Sequence, residues 1–240
     1  MGEPAENTVV GFTIDALREA IRAGTFAPGQ RLIVGDITRL LNVSAGPVRE
    51  AIRRLTGEGL IQIEPHRGAS VRKVTKHELR EIHQVRAAVE GMAAGLAAER
   101  AGDAAFRAEL GLVREEMDRC DASEDIAGFL ANNQRFHDLI LRMADNELMR
   151  QFAQQLILPL YQFRLPHRMT LMDLHASYAA HQRIIAAILS GKAGAADQAM
   201  REHILQSGRG MVTALESIES ARNAERPRRA RVGEGSATTG

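Results

Sequence analysis

Three histidines and one asparagine in the later two thirds of this 240-residue chain sit where helical spacing turns them inward. His137 is surrounded by Phe136, Ile140 and Leu141, and Asn133 lies one turn earlier, so both project from one helix face. His181 shares its face with Tyr178, Ile185 and Ile188, and His203 with Ala196, Ala199, Met200 and Ser207. Ser190-Gly191-Lys192 breaks the chain between the last two. His181 comes ten residues before Gly191 and His203 twelve after it. In an antiparallel hairpin with a rise of about 1.5 Å per residue, the two imidazoles stand at nearly one height. A third, brought opposite by the bundle, leaves buried ring nitrogens that need partners. A divalent metal satisfies all of them at once, and neutral imidazole is its commonest ligand. Taken singly, each histidine is more readily a hydrogen-bonded core residue; taken together, they point to a metal site.

A second chemistry lies near the N-terminus. Ile37, Leu40 and Leu41 have helical spacing, Asn42-Val43-Ser44 interrupts them, and Ser44 is placed to cap the next helix. Pro47 falls in that helix's first turn, where a missing N–H matters little. Val48, Ile52 and Leu55 form its apolar stripe, leaving Arg49, Arg53 and Arg54 on the polar side. A short helix presenting guanidiniums suits the DNA major groove, where arginine donates in a fork to guanine or phosphate. By itself, that helix also fits a plain solvated basic face.

The elements that position these residues fall into two groups. Thr13–Ala23 reads as an amphipathic helix carrying Ile14, Leu17 and Ile21. After the basic helix, residues 60–64 and 69–74 read as two short strands around a Pro65-His66-Arg67-Gly68 turn. Helix, helix, basic helix and hairpin are the order of a winged helix-turn-helix. Thr75-Lys76-His77-Glu78 then has the pattern of a capping box, and from there to about Ala221 every segment reads as helix. The apolar stripes are Ile82, Val85, Val89, Met92 and Leu96; then Phe106, Leu110, Val113 and Met117; then Ile126, Phe129, Leu130, Phe136, Leu139 and Ile140. Asp103, Asp121 or Ser123, and Asn146 are the expected caps, and Pro159 an expected kink in a helix running from Leu148 to about Leu165. The last helices are expected at Met172–Leu189 and Ala195–Ala221. The fold class is mainly α: a winged head (10–74) and an antiparallel all-α bundle (75–222). A flexible N-terminus (1–9) and a disordered basic tail (223–240) flank them.

Residues 10–74 resemble the GntR-type DNA-binding domain, through Pro28-Gly29, Val43-Ser44, Pro47-Val48-Arg49-Glu50-Ala51, Glu58-Gly59-Leu60 and His66-Arg67-Gly68. The resemblance implies binding to double-stranded DNA, with Arg49 as the reading arginine and Arg67-Gly68 as a wing tip in the minor groove. The DNA-contacting set is then Arg39, Ser44, Arg49, Arg53, His66, Arg67 and Gly68. This chain has Ala45 where many relatives carry arginine, and Gly35 where some do. Residues 75–221 are similar to the FCD-type ligand-binding domain of the FadR subfamily. Its metal motif pairs a carboxylate and a histidine four apart with two later histidines. His137, His181 and His203 fall on the histidine positions, and Asn133 on the place usually held by aspartate. The resemblance implies a divalent metal, zinc first, with nickel and manganese as alternatives. It also implies a small carboxylate effector in a closed pocket, held against the metal with help from an arginine on the domain's first helix. Arg86 is the candidate, the other reading of it being a surface pair with Glu90 at i+4. Ser177, one turn before His181, can donate to a ligand or help cap its helix. Arg164, His167, Arg168 and His175 either line the pocket mouth or are solvated. With Asn133 neutral, the ligand set carries no protein anion, which makes an anionic effector or water on the metal more valuable.

Composition is compatible with this and excludes little by itself. The chain holds 31 basic and 30 acidic side chains. Residues 1–74 balance to +2 (10 against 8), residues 75–220 to −4 (16 against 20) and residues 221–240 to +3 (5 against 2). A weakly basic head on an acidic body fits a head that meets phosphate. Cys120 is the single cysteine, so the chain has no internal disulfide, as in a reducing cytoplasm. No apolar run reaches the roughly 20 residues of a membrane span. Aromatics make up 4% and tryptophan is absent, against a stacking platform for single strands. The expected function is a homodimeric, metabolite-responsive regulator, in the first instance a repressor, on an inverted-repeat operator. A metal-dependent enzyme built on the three histidines is one alternative, although no H-E-x-x-H or paired E-x-x-H is present. An architectural DNA-binding protein is the other.

Overall fold

The computed structural model describes residues 8–157, 160 and 170–225. Its elements are α1 (Val9–Arg22), α2 (Val34–Leu41), α3 (Ala45–Gly57), β1 (Ile61–Glu64), β2 (Gly68–Val71), α4 (Lys76–Glu99), α5 (Ala104–Ala122), α6 (Ile126–Met143), α7 (Glu147–Ile157), α8 (Leu171–Leu189) and α9 (Ala193–Glu225). Pro159, Arg164, His167 and Arg168 lie outside the described residues, as do residues 1–7 and the tail from 226. Among the described residues, no helix is long and apolar enough to cross a membrane.

The head closes around Leu17, Ile37, Val48, Ala51 and Leu55, all at most 1% exposed. α1 begins four residues before the expected Thr13, because the Thr8 hydroxyl accepts from Gly11 N and caps it there. α2 turns into α3 through Asn42 in the left-handed region (φ 52°), which an asparagine tolerates. Leu40 departs from its expected core place and is 56% exposed. Ser44 is the N-cap residue of α3, but its side chain makes no capping bond. The hairpin pairs Ile61 with Val71 and Glu64 with Gly68. Its turn needs positive φ at both His66 (64°) and Gly68 (80°). A third edge was not legible in the sequence: Leu32 N donates to Ala69 O, and Val71 N to Gln30 O.

The second domain is an antiparallel array of six helices, α4 to α9, among the described residues. The capping box at Thr75 is present, with Glu78 N donating to Thr75 Oγ1 at 3.2 Å and Thr75 N to Glu78 Oε2 at 2.9 Å. Asp103 caps α5 and Asn146 begins α7, as expected. α6 is capped by Asp125, not by Asp121 or Ser123; Ser123 ends α5 instead. α4 packs most extensively against α9, and here the expected apolar stripe is only partly inward, Ile82, Val89 and Leu96 being half-buried against the core. Val85 is 40% and Met92 56% exposed, while Leu79, His83, Arg86, Ala87, Glu90, Gly91 and Ala94 are buried. Small residues let α9 come close: a Cβ on Gly208 would lie 2.6 Å from His83 Cγ. Gly208→Val is therefore expected to destabilise the domain by about 1–3 kcal/mol through overpacking, read by denaturant unfolding. A loss below about 0.5 kcal/mol would mean that α9 can move away from α4 freely.

Candidate functional site

In the head, α3 exposes Arg49, Arg53 and Arg54 while Val48 and Leu55 are fully buried beneath. Arg53 is held by Glu50 (Nε–Oε2 3.0 Å) and Arg39 by Asp36 (Nη2–Oδ1 2.5 Å). Among the described residues the Arg49 side chain makes no hydrogen bond or ion pair, so its donors face solvent. Arg67 stands at the wing tip, 83% exposed and 3.3 Å from Glu64, between exposed His66 and Gly68. Arginines of the helix and of the wing thus project from one domain, as a duplex-binding face requires.

The deeper site is built by α4, α6, α8 and α9. His137, His181 and His203 each offer a ring nitrogen, and the three atoms lie within 4.8 Å of one another. All are buried, at 2%, 0% and 5% exposure. His181 Nε2 and His203 Nε2 approach to 3.1 Å, a contact in which at most one nitrogen needs a proton. Phe129 and Phe136 pack on the His181 ring, with centroids 5.8 and 4.5 Å away, and fix it from behind. Three buried imidazoles converging from three helices, two of them nitrogen to nitrogen, form a donor set that fits a divalent ion.

Arg86 comes from α4 and is 1% exposed, so the surface-pair alternative for it fails. Its Nε donates to Glu90 Oε1 at 2.7 Å, and Glu90 is equally buried. The other Glu90 oxygen, Oε2, lies 2.7 Å from His137 Nδ1. Burial raises the Glu90 carboxyl, but the Arg86 guanidinium and the His137 imidazole outweigh it and hold the group well below the usual carboxylate range. Arg86 Nη2 is buried with no hydrogen-bond partner among the described residues. It is available to an anion.

One cavity gathers these groups. Arg86, Asn133, His137, Ser177 and His203 line it beside apolar Phe129, Leu130, Ile204, Met211 and Leu215. Its volume is about 150 Å³, the scale that admits a benzene-sized molecule. It is not closed among the described residues, because Asp173, Ala176, Gln206 and Gly210 on its rim are exposed. His175 stays out of it: it is 51% exposed and 2.7 Å from Asp121 Oδ1.

Glu90 is the residue that sequence reasoning undervalued, having assigned it only to a surface pair. It supplies the protein anion thought to be missing, from behind His137 rather than through position 133. The signal was a column of small residues at helical spacing, Ala87, Gly91, Ala94 and Ala98, flanking Arg86 and Glu90 on α4. Such a column marks a face that packs closely, not one that is solvated.

Comparison with known proteins adds the context. Residues 81–206 match the FCD domain family, and residues 11–71 match the family described as bacterial regulatory proteins, gntR family. The HTH-type transcriptional repressor GlaR of Escherichia coli (strain K12) is 29% identical over 197 residues, covering 79% of this chain and 89% of the relative. An uncharacterized HTH-type transcriptional regulator of the TAR-I ttuE-ttuC' intergenic region of Agrobacterium vitis is 35% identical over 139 residues, covering 56% and 80%. The solved structure of E. coli McbR/YncC superposes with a TM-score of 0.74 at 22% identity, covering 87% of this chain and 99% of that one.

Proposed function

The chain belongs to the gntR family of bacterial regulators and carries an FCD domain, and from that premise we propose that it is a metal-containing, carboxylate-responsive repressor. It is a DNA-binding transcription regulator, not an enzyme. The observation that carries the finer reading is the convergence of three buried imidazoles beside a buried arginine nitrogen in one cavity. His137, His181 and His203 would hold the ion, with the Asn133 amide oxygen as a fourth donor. When bound, the ion supplies a positive centre for an anion. Arg86 orients a carboxylate through its planar fork and stays charged when buried. Ser177 adds a hydroxyl on the α8 side, and the apolar wall takes the rest of a small acid.

Through its heads the regulator grips an inverted repeat as a homodimer in the cytoplasm. Two observations support the dimer. α4 leaves Val85 and Met92 exposed, and α7, which packs against α4, leaves Leu148 and Phe152 exposed. A second copy would cover those side chains. On DNA, Arg49 and Arg53 of α3 and Arg67 of the wing carry the contacts, supported by Arg39, Ser44, His66 and Gly68.

The test begins with duplex selected from a random library. Arg49→Ala is expected to weaken binding to that duplex by about 1–3 kcal/mol if it contacts a base, while non-specific binding changes little. The same titration with small monocarboxylates present should shift wild-type affinity. Unchanged affinity for the selected duplex in folded Arg49→Ala removes the residue at the centre of the DNA contact.

A further inference from the structure

We propose that Glu90 is a positioning residue for the three-histidine site, fixing the proton on His137 Nδ1 and thereby leaving its Nε2 as the lone-pair nitrogen. The proposal rests on the reading of that site as a metal site. Glu90 is 1% exposed; its Oε1 accepts from Arg86 Nε at 2.7 Å, and its Oε2 makes a 2.7 Å ion-pair contact with His137 Nδ1. An ionised carboxylate only accepts hydrogen bonds, so the imidazole nitrogen facing it must be the protonated one. The tautomer of a metal-binding histidine is set by the partner of its other nitrogen in this way.

Stability alone does not account for the pair. Burying an arginine and a glutamate side by side carries a desolvation cost that apolar residues of the same volume would avoid. Leu79, Ala87, Ala93, Ala94, Ala97 and Ala98 show that much of the buried side of α4 is apolar. Position 133 gives the pair its purpose. Asn133 lines the cavity as a neutral amide, and the one lining carboxylate among the described residues, Asp173, is exposed at the rim and engaged in the Thr170 capping box. Glu90 brings negative charge through the His137 ring, making that imidazole a better electron donor than a neutral hydrogen-bond acceptor would.

Glu90→Gln separates this role from simple packing. The glutamine carbonyl still accepts from Arg86, but its amide group now faces His137 and donates. His137 must then carry its proton on Nε2, the nitrogen the site needs free. With full-length protein and Co2+ as the probe, the wild type is expected to bind with a visible absorption band, and Glu90→Gln about 10–100-fold more weakly with an altered band. Long-range 15N–1H spectra of histidine-labelled wild-type protein are expected to show His137 as the Nδ1–H tautomer, a measurement that needs no variant. Co2+ bound equally well by wild type and Glu90→Gln overturns the proposal and leaves the metal site standing. So does an Nε2–H tautomer for His137 in the wild type. A wild type that binds no Co2+ removes the metal reading and the role of Glu90 with it.

Discussion

Arg86→Ala is expected to destabilise the helical domain by about 3–5 kcal/mol, because it strands the buried Glu90 carboxylate. In the wild type, burial opposes ionisation of Glu90, and Arg86 together with His137 overrides it. Removing Arg86 leaves burial opposed by His137 alone, and the carboxyl rises. The sign with pH follows from that change. The wild-type group is held below its unfolded value, so its stabilisation is fully present above about pH 4.3 and fades as the pH falls further. In the variant the folded group is raised instead, so its penalty is largest at neutral pH. The difference between the two proteins should therefore narrow as the pH is lowered from 7 towards 4, measured by urea unfolding at each pH. Replacing the pair together, Arg86→Met with Glu90→Leu, should be nearly neutral in stability yet abolish any shift by carboxylates. A single-variant loss under 1 kcal/mol at pH 7 would show that Glu90 finds water or another partner.

Metal removal is the second large effect. If an ion sits on His137, His181 and His203, it is bound by the folded state only. At a free concentration a hundred times its Kd it adds about 2.7 kcal/mol. For a domain of this size that corresponds to roughly 5–10 °C in melting temperature. Dialysis against a chelator should lower the transition by that amount, and stoichiometric Zn2+ should restore it. His203→Ala, chosen because His203 forms part of the cavity wall, should melt at the same temperature with and without chelator. Metal-free wild type melting like untreated protein would remove the metal from the reading altogether.

The head was legible because each of its signals is local. A cap, a turn residue with positive φ and an apolar stripe each report on a few neighbouring residues, and the buried set Val48, Ile52 and Leu55 followed from spacing alone. The histidine pair was legible for a related reason: a hairpin with a glycine at its turn converts sequence distance into height, and His181 and His203 do meet. α4 was misread because its most hydrophobic face is not its most buried one. Val85 and Met92 are exposed and Ile82, Val89 and Leu96 only half-buried, whereas the most buried side uses alanine and glycine with three polar side chains, His83, Arg86 and Glu90. Periodicity registers hydrophobicity; it does not register that close approach of two backbones favours small residues, or that two charges can be buried by neutralising each other. The same limit hid the link from Glu90 to His137, which joins residues 47 apart in sequence and depends on how α4 and α6 pack.

α4 also has a mechanical side. Its first turn is bolted to the wing: Arg72 N donates to Leu60 O in the head, and Arg72 Nη2 donates to Glu78 Oε1 at 2.6 Å in the helix. Arg86 lies ten residues along the same unbroken rod, about 15 Å from its start. A tilt of the rod by about 5° around that point would swing the Arg72 end by roughly 1.3 Å. Through Arg72, a displacement anywhere along α4 would thus reach the wing by way of a single rigid helix.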